Sequence, residues 1–191
     1  GMKPDLNNLP TLLYLRYLPS PLTLFSGINK LRPGHYLEID LSSEKIVPKE
    51  INFLNFNTKS LSKSIVPLDG YSQKIEEAVK RQLMSDVEVG ILLSGGVDSA
   101  VVAALAQKHG SSKLKAFTIG FEGDHAEDEI EDAQETAHLL GLDHFTKRIS
   151  FENFLSIFKE TTRIIEEPLA TTSIIPMYYL SELAAKHVKV V

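Results

Sequence analysis

The feature that most constrains the fold is an apolar run at residues 89–93, followed at once by a glycine-rich turn at residues 94–99. An unbroken apolar run of this length is typical of a strand buried on both faces of a parallel sheet. Two further strands are expected at residues 114–119 and 144–149, and they alternate with segments that have apolar residues at helical spacing. This alternation predicts an α/β fold in which a parallel sheet carries helices on both faces.

The pattern changes near residue 65. Before it, prolines and asparagines are frequent, no long helical pattern is present, and only two short strands are expected, at 35–39 and 46–47. After it, strands and helices alternate up to a fourth strand expected at 188–191. We therefore expect a small irregular and β segment over residues 1–64 and the α/β region over residues 65–191.

Charge and composition exclude several classes of function. The net charge is −5 without a basic block, which argues against a nucleic-acid partner. No apolar run approaches the roughly 18 residues that a membrane span requires. The chain has no cysteine, which excludes disulfides, thiolate metal sites and cysteine nucleophiles. These features favour a cytoplasmic protein.

The turn at residues 94–99 carries the chemistry. Gly95 and Gly96 let the backbone turn tightly and bring bare amides close to an anion. The helix expected to begin near Ser99 adds the positive end of its dipole, and the Ser94 hydroxyl adds a donor. Asp98 is useful beside phosphate if Mg²⁺ lies between them. No lysine follows the glycines, so this is not a Walker A loop. The pattern predicts a nucleotide phosphate site.

The turn resembles the S-G-G-x-D-S "PP-loop" of the N-type ATP pyrophosphatases. Those enzymes split ATP between the α- and β-phosphates and pass AMP to a substrate oxygen. The group includes GMP synthetase, NAD synthetase, tRNA-thiolation enzymes and asparagine synthetase, and the loop by itself does not choose among them.

Three further stretches resemble the glutamine-hydrolysing asparagine synthetases, in the order that family has them. They are residues 17–28 with 30–37, residues 117–121 with Asp128, Glu129 and Ala133, and residues 166–170 with 175–181. The first resembles the segment that joins the glutaminase domain to the synthetase domain. The resemblance implies the PP-loop ATP pyrophosphatase fold for residues 65–191 and a linker for residues 1–64.

The resemblance also implies an activity. In that family ATP adenylates the aspartate β-carboxylate, and ammonia from a glutaminase domain or subunit displaces AMP to give asparagine. Ser94, Gly95, Gly96, Asp98 and Ser99 would hold pyrophosphate and Mg²⁺, with Asp98 as the metal ligand, and Leu93 and Ile119 would contact the adenosine. The catalytic glutamate belongs to a second loop expected beyond Val191, so no catalytic residue is assigned within the chain.

Alternatives stay open at this point. One is a relative that activates another carboxylate, such as a β-lactam-synthetase-like enzyme, and another is a nucleotide-binding paralogue without catalysis. Thr171 stands where many relatives have aspartate, which weakens the aspartate-binding wall. We expect the chain to be an incomplete portion that is inactive by itself and able to self-associate.

Three other polar groups are weaker candidates. The acidic set is Asp124, Glu127, Asp128 and Glu129, which suits Mg²⁺ but is better explained by a helix start, where the dipole favours acids. His144 is interpreted as a structural histidine. Glu166 and Glu167 either line the cleft or form a solvated pair.

Overall fold

A computed structural model describes residues 3–42, 45–54, 67–110, 112–123, 129–166, 171 and 173–191. The chain divides into two compact units. The first comprises Gly1–Ser64 and Ile164–Thr171, and the second comprises Ile65–Arg163 and Thr172–Val191. Among the described residues, no helix combines the length and the apolar character needed to cross a membrane.

The first unit contains short elements. A 3₁₀ turn at Leu6–Asn8 leads into helix α1, Leu9–Leu15, and strand β1, His35–Glu38, pairs antiparallel with β2, Lys49–Asn52. The second strand was expected at 46–47, and that prediction was wrong. The register is fixed from the other end of the ladder, where the Phe53 amide donates to the Gly34 carbonyl (2.9 Å) and so sets Asn52 opposite His35.

The second unit is built on a parallel sheet, as the sequence predicted. Its strands are β3, Gly90–Leu92, β4, Lys115–Phe121, and β5, Asp143–Ile149, and they lie in the order β3-β4-β5. The expected fourth strand is reduced to one parallel bridge between Val190 and Val89, with the Gly90 amide donating to the Val190 carbonyl (2.8 Å).

This bridge makes β3 the point where the chain reverses direction across the sheet. The chain runs outward from β3 to β5 and then returns to the free edge of β3. Ligands of open α/β sheets bind beyond the carboxyl ends of the strands at such a reversal. The turn that follows β3 therefore occupies the favoured binding position.

Helices pack on both faces of this sheet, which confirms the predicted layers. They are α2, Leu68–Gln82, α3, Val97–His109, α4, Ile130–Leu140, α5, Phe151–Ile165, and α6, Ile174–Ala185. Small residues such as Ala103, Ala116 and Ala133 fill one face, beneath α2, α3 and α4. Larger residues such as Phe117 and Ile149 fill the other, beneath α5 and α6. The alanines let α3 and α4 approach the sheet closely, which places both helix starts near the carboxyl end of β3.

Candidate functional site

The turn at residues 94–99 joins the end of β3 to the start of α3. Gly96 is the residue before the helix, with extended backbone (φ −81°, ψ 148°), and no side chain caps the helix there. The first-turn amides of a helix have no partner within the helix, and its dipole puts partial positive charge at this end. The strand, turn and helix predicted from sequence are therefore confirmed.

The two serines hold the turn in shape. The Ser94 amide donates to Ser99 Oγ (3.2 Å), and the Gly96 amide donates to Ser94 Oγ (3.2 Å). The two hydroxyl oxygens lie 2.9 Å apart, and the Ser99 hydroxyl donates to the Gly96 carbonyl (2.8 Å). These hydrogen bonds between Ser94, Gly96 and Ser99, here called the serine ring, hold the turn in one conformation.

Gly95 lies against the start of α4. Its amide donates to Glu129 Oε2 (3.2 Å), a residue 34 positions later in the chain. A β-carbon on Gly95 would lie 3.0 Å from the β-carbon of Asp132 and 3.2 Å from that of Glu129. A side chain here would crowd the start of α4, because both contacts are tighter than ordinary van der Waals contact. The Glu129 carboxylate accepts a hydrogen bond from the Gly95 amide, which the sequence analysis assigned to a phosphate.

Asp98 lies in the first turn of α3 with an exposed side chain. The described residues contain no group of three or more histidine, aspartate or glutamate side chains close enough to hold a metal ion. Magnesium that arrives with a nucleotide needs only one or two carboxylates, because phosphate oxygens and water complete its shell. Asp98 fits that role and does not fit a metal cage made by protein alone.

The two residues expected at the adenosine lie on different faces of the sheet. Leu93 is 3% exposed and packs into the alanine-rich core beneath α3. Ile119 lies on the opposite face, where it lines a cavity of about 430 Å³ together with Phe121, Phe154 and Pro176. The structure does not bring these two side chains together, so a shared contact to one ligand would have to use backbone atoms at the strand ends.

Sequence reasoning missed Thr118. Its hydroxyl is 2.7 Å from the Leu93 carbonyl oxygen and 2.7 Å from His144 Nε2, and the residue is 2% exposed. Burial lowers the pKa of His144 below its ordinary value. A hydroxyl inside an otherwise apolar strand was the available signal, since a buried polar group requires a partner.

The remaining candidates lie elsewhere or outside the described residues. Asp124, Glu127, Asp128 and Glu167 are outside them. Glu166 belongs to the first unit, has left-handed backbone (φ 56°), and lines a cavity of about 260 Å³ there.

Comparison with known proteins places the chain in a family. Residues 70–191 match the family model described as asparagine synthase. A protein of Mycobacterium bovis whose name contains the words asparagine synthetase is 32% identical over 181 residues, which are 93% of this chain and 27% of that protein. Amidase chry2 of Gibberella zeae is 32% identical over 162 residues, which are 77% of this chain and 24% of that protein.

A solved structure, the NH3-dependent NAD synthetase from Campylobacter jejuni, superposes with a TM-score of 0.43 at 22% identity, covering 63% of this chain and 53% of that one. The chain spans about a quarter of the length of the two curated relatives. Since the family model matches well over half of the chain, this protein belongs to the asparagine synthase family.

Proposed function

We propose that this chain supplies the phosphate-binding part of an ATP-dependent amidoligase of the asparagine synthetase type. Ser94, Gly95, Gly96, Asp98 and Ser99 hold the β- and γ-phosphates of ATP, and Leu93 and Ile119 lie at the adenosine. The observation that carries the proposal is the Gly95 amide, which binds a carboxylate at the amino terminus of α3 (3.2 Å). An amide that binds one anion in this field suits another.

The proposed reaction adenylates a carboxylate and then transfers it to ammonia. The aspartate β-carboxylate attacks the α-phosphorus, and the bond from that phosphorus to the bridging oxygen breaks, so that pyrophosphate leaves. Ammonia, released from glutamine by a glutaminase domain or subunit, then displaces AMP. Asp98 would hold a magnesium ion that arrives with the nucleotide, and that ion would help to neutralise the charge of the leaving pyrophosphate.

The role of this chain's residues is to stabilise the leaving group. Backbone amides fixed before the reaction stabilise developing negative charge without reorganising, which lowers the barrier. The hydrogen bonds that the Ser94 and Gly96 amides donate to Ser99 Oγ and Ser94 Oγ fix the conformation of the turn, and we assign the stabilising role to the first-turn amides of α3, which have no partner within the helix. We assign residues 1–64 to the linker and residues 65–191 to the first part of the synthetase domain; the boundary between Ser64 and Ile65 in the two-unit division supports this assignment, although Ile164–Thr171 belong to the first unit.

A second candidate function uses the same adenylation chemistry but a carboxylate substrate other than aspartate. A protein named an amidase is also among the similar proteins, and the second candidate is a relative that activates such a carboxylate. Pyrophosphate release by the whole protein that carries this chain, assayed with aspartate and with other carboxylates, separates the two. Release with aspartate alone favours the first candidate.

The site is tested by Gly96→Val in the 191-residue chain, with Mg-ATP binding measured by calorimetry. A β-carbon at Gly96 would lie 3.3 Å from Ser94 Oγ, and a branched side chain would block the approach of a phosphate to the turn. We expect affinity to fall by at least roughly tenfold, since the amides act only at close range.

Met84→Val is the matched control, because it introduces the same side chain at a position that is 80% exposed and remote from the turn in sequence. Its affinity should equal that of the wild type. If Gly96→Val binds Mg-ATP with the wild-type affinity, the nucleotide does not bind at this turn.

A further inference from the structure

Buried Thr118 and half-buried His144 form a hydrogen-bonded chain that ends at the turn at residues 94–99. Thr118 Oγ1 is within hydrogen-bond distance of both the Leu93 carbonyl oxygen (2.7 Å) and His144 Nε2 (2.7 Å). The three residues come from the end of β3, from β4 and from β5, so the chain of bonds crosses the whole three-stranded sheet.

The chemistry of the three groups fixes where the protons lie. A carbonyl oxygen only accepts, so the single hydroxyl proton of Thr118 is donated to Leu93. The hydroxyl oxygen must then accept from His144, which therefore carries its proton on Nε2. The lowered pKa of His144 is consistent with a neutral ring held in one tautomer.

The Leu93 carbonyl and the Ser94 amide belong to the same planar peptide unit. One end of that unit accepts from Thr118 (2.7 Å), and the other donates to Ser99 Oγ (3.2 Å). The Leu93 amide is also bound, to the Phe117 carbonyl (2.9 Å). The orientation of the first peptide of the turn is therefore set by Phe117 and Thr118 of the neighbouring strand together with Ser99 of α3.

We propose that His144 is a positioning residue for the nucleotide site, acting through Thr118 to orient the Leu93–Ser94 peptide and with it the serine ring. The affinity part of this proposal rests on the proposed function. A histidine that only filled space would be replaceable by an apolar side chain of similar size. A positioning histidine requires a donor at Nε2, which glutamine supplies and leucine does not.

The experiment compares two pairs of variants with wild type. Thr118→Val and His144→Leu remove the hydroxyl and the donor, whereas Thr118→Ser and His144→Gln retain them. His138→Leu, at an exposed position on α4, is the control for loss of a histidine. Each variant is studied at a temperature at which circular dichroism shows it folded.

Two readouts are taken. The first is the nitrogen-15 spectrum of the wild-type His144 ring together with the backbone amide signals of Ser94 and Gly96. We expect the Nε2–H tautomer, with both amide signals displaced in the Val and Leu variants and close to wild type in the Ser and Gln variants. The second is Mg-ATP affinity, which we expect to fall about tenfold in the Val and Leu variants only, because Thr118→Val removes the hydroxyl bound to the Leu93 carbonyl and His144→Leu removes the donor that orients this hydroxyl.

The outcomes separate this proposal from the proposed function. An Nδ1–H tautomer, or unchanged Ser94 and Gly96 signals in folded Thr118→Val, overturns the positioning role even if ATP binds. Absence of ATP binding in wild type defeats the nucleotide site for this chain, while the amide signals still decide whether His144 positions the turn. If His144→Leu does not fold, the tautomer and the two Thr118 variants decide.

Discussion

At the scale of single residues, the hydrogen bond from the Gly95 amide to the Glu129 carboxylate bears most directly on the affinity of the turn for an anion. A phosphate at Gly95 has to displace the carboxylate oxygen that lies 3.2 Å from the amide nitrogen. Glu129→Gln removes the negative charge and keeps the shape of the side chain. We expect magnesium-free ATP to bind about fivefold more tightly, since two like charges ~4 Å apart in water repel by about 1 kcal/mol.

Glu131→Gln is the matched control, because this residue lies on α4 two positions later with its side chain exposed. It changes net charge equally, so any difference between the variants is local. Calorimetry at low salt, where screening is weak, measures the effect. If Glu129→Gln instead weakens the binding of Mg-ATP, Glu129 holds the cation and the repulsion argument is wrong.

At the scale of the elements, β3 packs so closely on β4 that a side chain at Gly90 should destabilise the protein. A β-carbon on Gly90 would lie 2.6 Å from Cε2 of Phe117 and 3.0 Å from Cγ2 of Val188. Phe117 is fully buried and stacks on Phe145, with ring centroids 5.5 Å apart, so it has no free space to enter. Gly90→Ala should destabilise the protein by about 1–3 kcal/mol, the usual cost of overpacking. Urea unfolding measures the change.

Phe117→Leu provides the test of the cause, because it removes the ring atom that the new methyl group would meet. The double variant should be more stable than the sum of the two single effects predicts, which is the signature of two residues in contact. Strict additivity would mean that Gly90→Ala acts through some other contact.

At the scale of the whole molecule, the two units differ in how much apolar surface they bury. Of the buried apolar residues that the structure describes, only Leu12 and Leu18 precede α2, and the others lie between Val79 and Val188. Local stability follows buried apolar contact. Backbone amides of β4 should therefore exchange with deuterium at least roughly a hundredfold more slowly than those of β1 and β2, because the hairpin opens locally while the sheet opens only on wider unfolding.

Native-state hydrogen exchange with mass spectrometry or NMR measures this ratio. Comparing only interior ladder amides controls for fraying at strand ends, where exchange is fast in any sheet. Equal protection of the hairpin and the parallel sheet would show that the described chain opens as one cooperative body.

The sequence by itself determined the local geometry of the second unit. An apolar run, two glycines and a helical pattern occupy consecutive positions, so backbone sterics and helix periodicity dictate a strand, a turn and a helix over residues 89–109. Gly141 ends α4 with left-handed backbone (φ 68°), and Pro176 lies in the first turn of α6, where its missing amide costs nothing. These rules act within a few residues of chain and are readable without a fold.

The tertiary structure decided which distant groups meet. Glu129 reaches Gly95 across 34 positions, and His144 reaches Thr118 across 26. Both contacts depend on strand register and on how closely α4 docks against the sheet. Strand register also placed β2 later than the composition suggested and put Leu93 and Ile119 on opposite faces. Period-two alternation assigns each strand two faces, but only pairing and packing decide which face meets which helix, because those energies depend on contacts that are not local in sequence.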